Sequence, residues 1–292
     1  MGIAEEIKQS FKHSNAMFKL IYINLAVFLI INIIYVFLLL FGLKSVEVGL
    51  IKWLAVPAFL PNLATRPWTI FTYMFTHENF LHILFNMLTL YWFSVIFLNY
   101  FDEKKLLNLY ILGGIAGALF YILSFNLFPV FQTSLPVSVA LGASASVLAI
   151  MIAISVFVPN NSVYIILIGP VKLKYIAIFF IFLDVLSIPV DNAGGHIAHL
   201  GGAFFGWFFA SQIKSGRDIT KWFGNIMDAL FSLLKPREKI KVSYRRPSDE
   251  IEYNAQKLER QNEIDRILDK ISKGGYESLS KEEKDILFKM RK

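Results

Sequence analysis

The 292-residue chain contains no cysteine. Disulfides, thiolate metal sites and a cysteine nucleophile are therefore excluded. Charge is also scarce. Only 17% of residues are Asp, Glu, Lys or Arg, against about a quarter in an ordinary soluble domain, and most of them lie in the last eighty positions. Acids are the scarcest in the apolar part, where Asp184 is the only one inside an apolar run. The first apolar run is too long for a signal-peptide core and has no small-residue cleavage pattern after it, so it reads as a retained helix.

What is present is hydrocarbon. The chain is 55% hydrophobic, with a mean hydropathy of +0.54. Runs of roughly 20 mostly apolar residues can span a bilayer, and six segments qualify: 17–43, 81–101, 106–127, 142–158, 174–190 and 195–213. The expected fold class is all-α, a polytopic membrane bundle of six spans over 17–213, preceded by a short polar segment, 1–16. The net charge of +7 and pI near 9.3 fit loops beside anionic lipid, not nucleic-acid binding.

Six spans place both termini on one side, and the basic residues choose the side. Lys104, Lys105, Lys172, Lys174, Lys214, Arg217 and Lys221 fall on the side of the termini, while loops 128–141 and 191–194 carry no Lys or Arg. The termini are expected in the cytoplasm, with the long first loop, 44–80, outside. That loop is apolar but broken by Lys52, Pro57 and Pro61, which places it in the interface. The remainder, 214–292, reads as a cytoplasmic tail. In it, 220–234 carries Trp222, Phe223, Ile226, Met227, Leu230, Phe231 and Leu234 on one face and is expected to lie on the inner leaflet. A basic linker follows, then a helical hairpin over 249–290, with Gly274-Gly275 ending its first helix and Ser280 and Glu283 forming a capping box.

"LGASASVLAI", Leu141 to Ile150, puts a glycine and two serines at the start of an apolar span. Alternating direction makes spans two, four and six parallel, with their N-terminal ends outside. His82 and Asn86 in span two, Ser144 in span four, and His196 and His199 in span six then share one depth, which marks a site more than a set of interfacial end residues. Ala145, Ala149 and Ala153 form a small-residue ridge, and so do Gly202, Gly206 and Ala210; such ridges let two membrane helices approach closely. Facing ridges bring Ser144 to His199, the arrangement in which a neutral imidazole takes a serine proton. Backbone N–H groups at the start of a helix lack partners and can hold an oxyanion. His82 and Asn86, one turn apart, can donate to the same charge. Gly142 lets the backbone come close to Ser144. Between the two histidines of span six, His196 is expected to be the wetter, because it follows Gly194-Gly195 where the chain enters the helix.

Ser146 points about 200° away from Ser144 on a helix and reads as packing. His77-Glu78 and His82 resemble a zinc-protease motif, but HExxH needs histidines four apart; at five they diverge by about 140°. His82, His196 and His199 lack a carboxylate or thiolate to complete a metal site, so neither metal nor cofactor is expected. Asp184 reads as paired with a local polar group, which leaves a Ser–His dyad.

"HILFN" at 82–86 with its neighbours, "GAS" at 142–144 and "AHLGGAFFG" at 198–206 match in type, order and topology the rhomboid family of intramembrane serine proteases, which the chain resembles over about 17–213. The resemblance implies a six-helix bundle with an outward-facing, water-filled cavity. It implies Ser144 as nucleophile, His199 as base, and His82, Asn86 and the Ser144 N–H as oxyanion donors. Gly202 and Gly206 would pack span six on span four. With no further span before or after the core, the sequence resembles the bacterial form and its cytoplasmic membrane. Three positions depart from the family pattern. Ala145 replaces the second glycine of GxSG. Trp68-Thr69 replaces Trp-Arg, removing a cation that would anchor the first loop. No glutamate ends span two before Asp102. The expected activity is endopeptidase cleavage of single-span membrane proteins near the outer face, with membrane lipid and such substrates as partners. The alternative is an inactive relative that binds membrane segments.

Overall fold

The computed structural model describes residues 3–166, 168–234 and 250–289. The elements run α1 (Ile3–His13), α2 (Ala16–Leu40), α3 (Lys44–Leu54), β1 (Val56–Pro57), α4 (Leu60–Thr65), α5 (Thr69–Thr72), α6 (Phe80–Leu98) and α7 (Glu103–Leu127). They continue with β2 (Val139–Ala140), α8 (Ser144–Phe157), β3 (Ser162–Ile165), β4 (Gly169–Lys172), α9 (Leu173–Ser187), α10 (Ala193–Lys214), α11 (Lys221–Leu234), α12 (Glu250–Gly274) and α13 (Lys281–Lys289). The chain divides into two units at Leu234.

Among the described residues, three helices, α2, α6 and α7, are long and apolar enough to cross a membrane; α8 is apolar but shorter. Eleven of the fourteen residues of α8 are buried, so it is the centre of the bundle. At about 1.5 Å per residue it is some 21 Å long, less than the roughly 30 Å hydrocarbon core. By contrast, α2 buries only Ala16, Met17, Leu20, Asn24 and Ile31. It leans on α6 and α7 by one edge and leaves the rest of its apolar surface outward.

Close packing at the centre comes from small residues where α7, α8 and α10 meet. A Cβ on Gly202 would strike the Ala145 carbonyl oxygen, and one on Gly206 the Ala149 carbonyl oxygen. Gly113 and Gly117 of α7, four apart, press on the Cβ atoms of Ala149 and Ala145, and Gly201 of α10 packs on Ala116 and Phe120 of α7. The three helices thus touch one another pairwise.

The structure adds elements that hydropathy does not reveal. The polar N-terminal segment is helical, as α1. Two short antiparallel ladders appear. In one, Val56 pairs with Ala140 and Pro57 with Val139, which joins the first loop to the segment entering α8. The other is the hairpin Ser162–Ile165 with Gly169–Lys172 between α8 and α9.

The first loop is also anchored without the missing Trp-Arg cation. Arg66 donates to the Lys52 carbonyl at 2.5 Å. The Trp68 indole donates to the Trp53 carbonyl at 2.9 Å and stacks on the Trp53 ring at 5.4 Å. Thr69, which stands where the arginine would be, is fully buried and donates to the Arg66 carbonyl at 2.7 Å. Arg66, three residues before Thr69, thus supplies a cation that holds this loop.

In α11, Trp222, Ile226 and Leu230 are exposed while Phe223 is buried. The basic linker, 235–248, and the ends of the expected hairpin, positions 249 and 290, lie outside the described residues. The second unit is a helical hairpin by itself. Ile267 and Leu279 form its interior, and α12 stops at Gly274. The Ser280 N–H donates to Glu283 Oε2 at 2.7 Å, and the Glu283 N–H to Ser280 Oγ at 3.2 Å, a capping box.

Candidate active site

The segment leading into α8 is held from beneath. The Tyr73 hydroxyl donates to the Gly114 carbonyl at 2.5 Å, and the Tyr110 hydroxyl to the Met74 carbonyl at 2.9 Å. Both bonds fasten the chain before α6 to α7. The Gly142 N–H then donates to the Tyr73 carbonyl at 2.9 Å, hanging the turn before Ser144 on that anchor. Gly142 has φ of +123°, a region that L side chains avoid. A Cβ there would also lie 2.7 Å from His82 Nε2 and 3.6 Å from Ser144 Oγ. Two independent reasons, torsion and space, thus require glycine, and the space a side chain would fill is bordered by His82 Nε2 and Ser144 Oγ.

Ser144 is the first residue of α8. Its hydroxyl oxygen lies 2.6 Å from His199 Nε2. His199 sits nearly two turns inside α10, which begins at Ala193 behind Asn192, a left-handed N-cap whose Oδ1 accepts from the Gly195 N–H at 3.2 Å. The Gly202 and Gly206 contacts fix the separation of α8 and α10, and the 2.6 Å approach follows from it.

The other face of His199 meets a carboxyl group. His199 Nδ1 lies 2.7 Å from Asp184 Oδ1, and His196 Nδ1 lies 2.8 Å from the same oxygen. Two expectations are corrected here. Asp184 does not pair within its own stretch of α9; its partners are twelve and fifteen residues away on α10. A carboxylate therefore does join the two histidines. The reason is the short α9–α10 connection, 188–192, which folds the two helices back on each other and aligns the last turn of α9 with the first turns of α10. Nor is His196 wetter than His199: their side chains are 23% and 24% exposed.

Asn86 is buried and donates through Nδ2 to the His82 carbonyl at 2.8 Å, one turn back in α6. An amide nitrogen carries two hydrogens, so a second donor remains. His77 has a place that the sequence did not suggest. It is buried at the entrance to α6, its ring 5.1 Å from that of His82 in an edge-to-face arrangement. The Ala143 N–H donates to its Nε2 at 3.4 Å. Burial first, with His82 beside it, pushes His77 down to about 4. The ring is therefore neutral and can accept. It supports the turn before Ser144.

Ser146 is fully buried, its hydroxyl 3.9 Å from Met74 Sδ, and it faces away from the site. Among the described residues, Asp184, His196 and His199 could hold a metal ion, one ligand atom from each lying within 4.8 Å of the others. Their nitrogen–oxygen separations are those of hydrogen bonds. An apolar crevice of about 500 Å³ between α8, α9 and α10, lined by Ser155, Lys174, Leu200 and Trp207 among others, does not include Ser144.

If Asn86 is an oxyanion donor, Asn86→Ala should keep the fold and lower turnover by roughly 10–1000-fold, since one such donor is worth about 2.7–4 kcal/mol at most. Its loss also frees only one carbonyl, that of His82, which is satisfied by the α6 ladder. Steady-state cleavage alongside thermal unfolding checks this; unchanged turnover would reduce Asn86 to a packing residue.

Residues 64–214 match the Rhomboid domain family, about half of the chain. The span covers every residue of the cluster just described. Residues 249–289, the second unit, match a family of unknown function, DUF6576. The chain is also similar to the RHOMBOID-like protein 12, mitochondrial, of Arabidopsis thaliana, at 31% identity over 158 residues. That alignment covers 51% of this chain and 47% of the relative, so the chain spans about half the length of the curated relative it matches.

Proposed function

Since this chain belongs to the rhomboid family, we propose that it is an intramembrane serine endopeptidase with Ser144 as nucleophile and His199 as general base. The observation that carries this reading is the 2.6 Å approach of His199 Nε2 to Ser144 Oγ. A chain built only to bind membrane segments has no need of that contact.

In the proposed reaction Ser144 Oγ attacks the scissile carbonyl carbon as its proton passes to His199 Nε2. The carbonyl π electrons move onto oxygen. The resulting oxyanion is held by the Ser144 N–H, His82 and Asn86, fixed donors aimed where the charge develops. Collapse breaks the C–N bond, and the proton on Nε2 leaves with the amine. Water then attacks the acyl ester, giving one proton to Nε2, and Ser144 is released with its hydroxyl restored. All proton transfers run through one nitrogen. The substrates proposed are single-span membrane proteins, cut near the outer face after a small residue, where a helix unwinds most readily.

The chain is an integral membrane protein by its apolar helices and its family. We place α2, α6, α7, α8, α9 and α10 as six spans with both termini in the cytoplasm, supported by the Lys and Arg distribution. The chain lacks native cysteine, so single cysteines report cleanly. Thr133→Cys should be labelled by a membrane-impermeant maleimide only from the outside. Labelling only from the cytoplasm would sink the orientation and the common depth of the site with it.

The activity itself is tested by incubating purified protein with a panel of single-span substrates, with Ser144→Ala as control. Products are expected from the wild type alone. Products persisting in Ser144→Ala would remove Ser144 from the chemistry.

A further inference from the structure

We infer that Asp184 is a positioning residue for His199, making the site a Ser–His–Asp chain in place of a Ser–His pair. This rests on the reading of Ser144 and His199 given above.

Asp184 is the only acid within an apolar run of the sequence, and its side chain is 8% exposed. An ionisable group placed among apolar helices is expensive and persists where it is partnered. Its partners could have been local, or a lysine at a helix end. Instead, one carboxyl oxygen receives both imidazoles of α10, at 2.7 and 2.8 Å. The oxygen of an ionised carboxyl group only accepts hydrogen bonds, so each Nδ1 facing it carries the proton. For His199 this determines the tautomer. With Nδ1 protonated, Nε2 presents its lone pair, and that is the nitrogen lying 2.6 Å from Ser144 Oγ.

The same contact acts again during the reaction. When Nε2 takes the serine proton, the imidazole becomes a cation, and a fixed negative charge lies against its other nitrogen. Asp184 itself takes no proton; it orients the ring and stabilises the charged form. His196 is a second donor to the same oxygen. It keeps the carboxyl group in place and shares the burden of its burial, without touching Ser144 in the described hydrogen bonds.

The test uses Asp184→Asn, which preserves size, with Asp184→Ala beside it. An asparagine can turn its NH2 toward His199 Nδ1, which then accepts, and the proton moves to Nε2, where it blocks the base. Three readouts are needed on the full-length protein in detergent: kcat and KM on a single-span substrate, thermal unfolding, and the ¹⁵N shifts of His199 that report which nitrogen bears the proton. In the wild type the protonated nitrogen should be Nδ1. In Asp184→Asn it should shift to Nε2, kcat should fall by about 100-fold or more, and KM should stay within about threefold. A residue that only holds α9 to α10 would instead lower unfolding temperature and leave the tautomer alone.

Nε2 protonated in the wild type, or kcat unchanged in Asp184→Asn, overturns the inference. If the Asn variant does not fold, the wild-type tautomer still decides. A wild type that neither cleaves substrate nor reacts at Ser144 would sink the protease reading, while the ¹⁵N measurement would still judge Asp184.

Discussion

Replacing His199 with alanine should bring cleavage down to the level of Ser144→Ala, a loss on the order of 10⁵–10⁶-fold where nucleophile and base act as a unit. Combining the two changes should add little for the same reason. The argument is geometric. His199 Nε2 is 2.6 Å from Ser144 Oγ, and no other base touches that hydroxyl among the described hydrogen bonds. His196 is as exposed as His199 and lies one turn before it, but its contact is with Asp184. His196→Ala should therefore keep substantial activity, within about tenfold of wild type, because Asp184 retains one of two donors and His199 retains its tautomer. Steady-state cleavage of one single-span substrate by wild type and the four variants checks the pattern. An essential His196 with a dispensable His199 would reverse the assignment.

The second large effect concerns packing. Gly202→Ala adds one methyl group, and that methyl lands on the Ala145 carbonyl oxygen, inside contact distance. Backbone cannot step aside as a flexible side chain does, so α10 must move off α8. Overpacking of a tight core costs about 1–3 kcal/mol, and here the strained partner is the central helix itself. Gly202→Ala should lower stability by about 3 kcal/mol and also reduce turnover, because the displacement separates His199 from Ser144. Gly206→Ala should behave alike through Ala149. Gly49→Ala, on α3 with nothing within 4 Å, is the matched control and should leave stability unchanged or slightly raised. Thermal unfolding of the three variants in the same detergent measures this. A Gly202→Ala protein as stable as the control would mean that the helices do not approach as closely as described.

Much of this molecule can be read directly from its sequence, for a physical reason. The requirement for apolar length and the small-residue spacing are both local patterns, and they locate the helices and the α8–α10 contact. Ser144, His199 and Gly142 are legible because each breaks such a pattern at one depth. Asp184 was visible as an anomaly, but its partners were not. Which face of α9 meets α10 depends on the five-residue connection at 188–192, and hydropathy carries no information about that rotation. Gly113 and Gly117 show the same four-residue spacing, but spacing alone does not say which helix a ridge faces. The two β ladders are backbone pairings between segments far apart in sequence, and two to four residues are too few to show an alternating pattern. His77, by its spacing to His82, speaks only against a zinc site. Its role as acceptor for the Ala143 N–H depends on a fold-back that no spacing encodes. Arg66 likewise holds the first loop, on the Lys52 carbonyl, through a turn whose geometry the sequence does not show.

The central claim is that His199 activates Ser144. The measurement that tests it most directly is reaction with a fluorophosphonate probe, followed by peptide mapping of the modified residue. Wild type and His196→Ala should be labelled at Ser144, and His199→Ala should not be, with all three folded by thermal unfolding. Labelling of Ser144 at the wild-type rate in His199→Ala, or no labelling of Ser144 in the folded wild type, would contradict the account.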